Sequence, residues 1–146
     1  MQVDFYHLTA QPLDRVLPLV AEKVLASGQR LLVVAAAPER RQHLDRLLWS
    51  YAPDSFLPHG VEGGGDEGAQ PVLIAADVTD ANAARHVALV DGTWQDAALG
   101  FDRAFHFFDD DQVEEARAAW RVLADRADVQ RRYWKQNDVG RWEQAA

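Results

Sequence analysis

The sequence predicts an α/β fold in a single domain, a mostly parallel five-stranded sheet with helices on both faces. Three observations carry this reading. Short apolar runs alternate along the chain with stretches of helical period, which is the grammar of strand, helix, strand, helix. The run RLLVVAAA at 30–37 is apolar throughout, as in a strand buried on both faces of a parallel sheet. A length of 146 residues makes one domain, large enough to bury most of the surface its unfolded chain exposes.

The first strand is VDFYHL at 3–8, β-branched and aromatic, ahead of Thr9 and Pro12. Leu13, Val16, Leu17, Val20, Val24 and Leu25 then recur at helical spacing, and Gly28 caps that helix after Ser27. Pro18 is the flaw. It removes an internal hydrogen bond if the helix starts near Pro12, and costs less if the start is near Asp14. The second strand, 30–37, ends at Pro38, which suits the first position of the next helix.

That second helix turns Leu44, Leu47 and Leu48 to the core and must be ending at Trp49 and Tyr51, because Pro53 disfavours helical geometry in Ala52. Phe56, Leu57 and Pro58 follow as an apolar run outside any regular element, closed by His59 and Gly60. Apolar loop residues beside a helix-end Trp either pack back on the core or stay partly exposed as an anchor for another protein. Both readings stand on residue types alone.

The stretch GVEGGGDEG at 60–68 has five glycines and three acids and reads as a flexible surface loop. It lacks the lysine and hydroxyl residue of a phosphate-cradling loop, and its acids repel phosphate. PVLIAA at 71–76 is the third strand and HVALV at 86–90 the fourth, with a polar, alanine-rich connector between them. Asp91 falls at a strand's C-terminal end, where open α/β sheets place ligand sites, but Asp91-Gly92 is equally a turn. Thr93 suits the cap of a short helix over 94–99.

AFHFF at 104–108 is the fifth strand, and Asp109, Asp110 and Asp111 open the last helix. Three acids in a first turn complement the helix dipole; Mg²⁺ or Ca²⁺ binding is the alternative, which consecutive residues on one turn serve poorly. The last helix places Val113, Ala116, Trp120, Leu123 and Ala127 on one face and carries its cations, Arg117 to Lys135, toward its end. Arg117 and Arg121 lie one turn apart and flank Trp120. They form either a solvated face paired to Glu114 or Asp125, or a site for a carboxylate beside an apolar side chain.

Composition narrows the function. The chain has no cysteine, which excludes disulfides, thiolate catalysis and cysteine-ligated zinc and fits a reducing compartment, with cytoplasm the default. No signal peptide or membrane span is expected from the polar start and the short apolar runs. A net charge of −8 argues against holding nucleic acid through the overall field.

Taken together, FYHL at 5–8, LDRLLW at 44–49, FLPHG at 56–60, PVLI at 71–74 and RAAWR at 117–121 resemble the chi subunit family of bacterial DNA polymerase III. The pair LDRLLW and FLPHG is the most specific part. The resemblance implies a Rossmann-like α/β fold over residues 1–146, with a flexible loop at about 60–70 and a basic aromatic tail at about 131–146. It implies no catalytic residue, cofactor or metal, and an adaptor role in the clamp-loader assembly. By the same resemblance, Trp49 and Phe56, with Pro58 and His59 beside them, face the psi subunit or a helicase. Arg117, Trp120 and Arg121, with Phe108 as a pocket wall, receive the acidic C-terminal tail of single-stranded DNA-binding protein.

Two other classes remain as alternatives. One is a small α/β enzyme of hydrolase or phosphotransfer type using Asp91, His59 or His86, although no Gly-x-Ser-x-Gly elbow or phosphate loop is present. The other is a direct single-strand binder using Trp134, Trp142 and the nearby arginines, which the net charge opposes.

Overall fold

The structure is a computed structural model and describes residues 1–52 and 57–146. Its elements run in order β1 (Gln2–His7), α1 (Leu13–Ala26), β2 (Leu31–Val34), α2 (Pro38–Ser50), β3 (His59–Val61), β4 (Val72–Ala75), β5 (His86–Leu89), β6 (Arg103–Phe108), α3 (Val113–Leu123), β7 (Gln130–Gln136) and β8 (Trp142–Gln144). The strands form one sheet of eight, in the order β3-β4-β2-β5-β6-β1-β7-β8. Every pairing is parallel except β7 with β8.

The fold class and the five central strands stand, and the strand number does not. Three strands were hidden. β3 lies at the start of the glycine-rich stretch and pairs with β4, while β7 and β8 form the opposite edge. The last helix stops at Leu123, so Arg131, Arg132 and Lys135 sit on β7 beside β1 instead of at a helix end.

Local chemistry sets the helix ends. Pro12 occupies the N-cap position of α1, which leaves Pro18 inside the helix and deprives the Asp14 carbonyl of its donor. At the other end Gly28 has φ +80°, its N–H donates to the Leu25 carbonyl and that of Gln29 to Val24, a Schellman ending. Pro38 begins α2. The stretch expected as a short helix over 94–99 is instead a 3-10 turn at Asp96–Gly100, too short before Gly100 to establish α-helical bonding. Asp109 caps the turn at Asp110–Gln112 that leads into α3, its carboxylate accepting from Asp111 N–H while Gln112 reaches back to the Asp109 N–H.

Each face of the sheet holds its own core. Leu17, Leu44 and Leu48 of α1 and α2 pack with Leu31, Val33, Ile74 and Phe107 on one face. Ala116, Ala119 and Leu123 of α3 pack with Phe5, Leu32, Val34, Leu89 and Phe108 on the other. Chain direction explains the split, since the β1-to-β2 and β2-to-β3 crossovers run one way along the sheet and the β6-to-β7 crossover runs the other. Among the described residues no helix is long and apolar enough to cross a membrane.

Candidate functional site

The end of α2 presents the first surface. Leu44 and Leu48 point inward, and Trp49, next in line, is 56% exposed. Its ring meets that of His59 at 5.0 Å, edge-on. His59 itself is buried, with Nδ1 2.7 Å from the Leu57 carbonyl and Nε2 against Asp45, 3.1 Å from its carbonyl and 2.9 Å from its carboxylate. Its side chain therefore ties β3 to α2 and props Trp49, and the surface beside it is made by exposed Pro58. Phe56 lies outside the described residues.

The second surface is the outer side of α3. Arg117 and Arg121 are exposed there, and Arg117 reaches Glu114 at 3.7 Å. Between them Trp120 is half-buried, packed edge-on to Phe5 at 5.3 Å and to Tyr133 at 5.7 Å. A third arginine joins them from β7. The Arg131 guanidinium lies 4.1 Å over the Trp120 ring, and its Nη1 donates to the Trp120 carbonyl at 2.6 Å. Tyr133 adds a second ring, its hydroxyl pushed up in pKa by burial, against the opposing charge of Arg117.

Phe108 does not border this patch. It is 1% exposed, enclosed by Phe5, His7 and Tyr133. A strand residue under a helix is shielded by the helix it supports, and here α3 is that helix. The ring that does reach the patch is Tyr133, and the reading of residues 131–135 as helix hid it and Arg131. The signal was present in QRRYWK, whose aromatics suit a strand, although each face of the strand mixes a cation with a ring.

The crevice at the strand C-termini is open to solvent, a space of about 380 Å³ beside Thr9, Arg40, Asp109 and Gln112, and its polar groups bond mostly to one another and to the backbone. Asp91 accepts from the Ala36 N–H at 2.8 Å and lies 3.6 Å from Arg40, which also donates to the Val90 carbonyl. Gln112 donates to the Asp91 carbonyl, and Thr9 to that of Gln136. Gly92 has φ +76°, and the chain bends sharply at Asp91-Gly92. His86 starts β5, about 16 Å from Asp91 at ordinary strand rise, and His59 starts the edge strand β3. The three residues of an enzyme reading are thus not brought together.

Fold and surfaces define a class: an open, mostly parallel α/β domain whose polar groups at the strand ends bond to its own backbone, with Trp49 exposed at the end of α2 and Trp120 half-buried on α3. Comparison with known proteins gives the family. The profile described as "DNA polymerase III chi subunit, HolC" matches residues 1–129, and the chain belongs to that family. It is also similar to the DNA polymerase III subunit chi of Escherichia coli (strain K12), 36% identical over 56 residues. That match spans 38% of this chain and 38% of the relative's length.

Proposed function

We propose that this chain is a non-catalytic adaptor of the DNA polymerase III clamp-loader complex in DNA replication. One surface, for which Trp49, Phe56, Pro58 and His59 are the contact residues, engages the psi subunit or a helicase. The other, Arg117, Trp120 and Arg121, binds the acidic C-terminal tail of single-stranded DNA-binding protein.

The observation that carries the reading is the α3 patch. Two exposed guanidiniums flank a half-buried indole, with a third stacked on it, on a chain of net charge −8. Such a cluster suits a tail that ends in an apolar side chain and a carboxylate, since guanidinium forks match carboxylates and the ring takes the apolar part. The attraction is between partly screened charges, so binding weakens as salt rises.

The test is titration of a labelled tail peptide against the wild type and the Arg117→Ala, Arg121→Ala double variant. Each charge-assisted contact at an exposed position contributes on the order of 1 kcal/mol, so the double variant binds at least tenfold more weakly while its fold persists. Equal affinities of two folded proteins would remove the site.

A further inference from the structure

The sheet carries a second aromatic and cationic surface, on the face opposite α3. In parallel sheets the crossovers normally lay helices over both faces. Here α1 leads from β1 toward β2 and α2 onward to β3, so no crossover is left to cover β7 and β8 on that face. The result is a groove of about 530 Å³ between α1 and that end of the sheet, within the range of ligand sites.

Its lining is ordered. Tyr6 and Trp134 stack with ring centres 6.4 Å apart and planes 13° apart, and Trp142 stands edge-on to Tyr6 at 4.9 Å. The Trp134 indole N–H donates to the Asp4 carboxylate at 3.0 Å, which fixes the ring. Across from them α1 contributes Val20 and, 52% exposed, Leu19.

The charges in and beside the groove favour an anion. Lys23 and Arg103 line it, and Arg132 lies on the Trp134 face of β7 by strand alternation. Fully buried Asp4 accepts from Gln2, Arg103 and Trp134, so its charge and that of Arg103 are paired with each other, and Glu22 accepts from the Tyr51 hydroxyl; with Lys23 and Arg132 against Glu22 the groove keeps one net positive charge. Cations beside stacked rings and an aliphatic wall suit acidic residues next to a large apolar side chain. We propose that this groove is a second peptide-binding site, taking a short acidic segment that carries such a side chain, independent of the α3 patch. Single-stranded nucleic acid fits less well, because one wall is aliphatic and three cations on a chain of net charge −8 do not make a track for phosphates.

The probe is a synthetic peptide of three aspartates followed by leucine and phenylalanine with a free carboxyl terminus, titrated into the full chain labelled with ¹⁵N. The Trp134 and Trp142 indole signals shift together along one isotherm. A Leu19→Asp, Lys23→Glu double variant, altered only at exposed α1 positions, weakens that isotherm at least tenfold and leaves the Trp120 signal's response unchanged. The proposal is overturned if Trp134 and Trp142 do not move at millimolar peptide, if the double variant responds like the wild type, or if lysines in place of the aspartates act equally. It is also overturned if oligothymidylate moves these signals at lower concentration than the peptide, or if sedimentation shows a dimer that the double variant abolishes. Because Trp120 reports the α3 patch separately, failure at one site is distinguishable from failure at the other.

Discussion

His106 gives the chain a built-in sensitivity to acid. It lies on β6 beneath α3, fully buried, edge-on to Phe5 at 5.3 Å and to Trp94 at 5.8 Å, and neither ring nitrogen has a hydrogen-bond partner among the described residues. Burial holds its pKa down at about 4, against 6.5 for an ordinary histidine. The unfolded chain therefore takes up a proton below pH 6.5 that the folded chain refuses until about pH 4. Stability is fully present above pH 6.5 and is lost as pH falls from there toward 4. Using about 1.36 kcal/mol per pKa unit, the loss from this residue is about 1.4 kcal/mol at pH 5.5 and about 2.5 kcal/mol at pH 4.5. The variant His106→Leu removes the titrating ring at similar volume and should lie within about 1.5 kcal/mol of the wild type at pH 8. Urea unfolding of both proteins at pH 8, 6.5, 5.5 and 4.5 isolates the effect, because every other group titrates in both. The variant's stability should fall less than the wild type's by the amounts above. Parallel pH profiles would refute the reasoning and mean that the ring nitrogens are solvated in the folded protein.

Two further outcomes follow from the geometry. Trp49→Ala removes a ring that is 56% exposed and edge-on to His59, so on the adaptor reading proposed above binding of the psi subunit, measured by calorimetry, should weaken by ~2 kcal/mol or more with the protein still folded; a large loss of stability with binding intact would assign Trp49 to the core. Arg103→Ala withdraws the guanidinium 2.6 Å from fully buried Asp4 and should destabilise by about 3 kcal/mol in urea unfolding, since an uncompensated buried carboxylate is costly. A loss under about 1 kcal/mol would show that Gln2 and Trp134 suffice.

The parts of the fold legible in the sequence are those where one physical signal dominates. β2 and β4 are apolar runs because both their faces are covered, and α1 shows its period because one side lies on the sheet. β7 gave no such signal, as Arg131 and Tyr133 share one face and Arg132 and Trp134 the other, which erases the alternation of polar and apolar. β3 spans only His59–Val61, and its pairing with β4 is a tertiary fact that three residues cannot announce. The α3 surface was legible in Arg117, Trp120 and Arg121, but the stacking of Arg131 on Trp120 depends on where β7 enters the sheet. The resemblance places His59 beside Trp49 and Pro58, and the burial of its side chain goes with bonds to the Leu57 carbonyl and the Asp45 oxygens, the latter supplied only by the packed α2.

The position of β1 also governs how the chain reaches its fold. Gln2 pairs across one side with Arg103 and across the other with Gln130, so the strand made first lies between two that are made late. On the ribosome β2, β3, β4 and β5 emerge within a span of about 60 residues and have one another to pair with, while both edges of β1 stay open until β6 and β7 have emerged. Loop closure over more than 100 residues is slow relative to such local pairing. Pairing of β1 with β6 and β7 therefore closes the longest loops in the sheet, and a nascent chain stopped short of residue 130 leaves one edge of β1, with Phe5, Tyr6 and His7, unpaired.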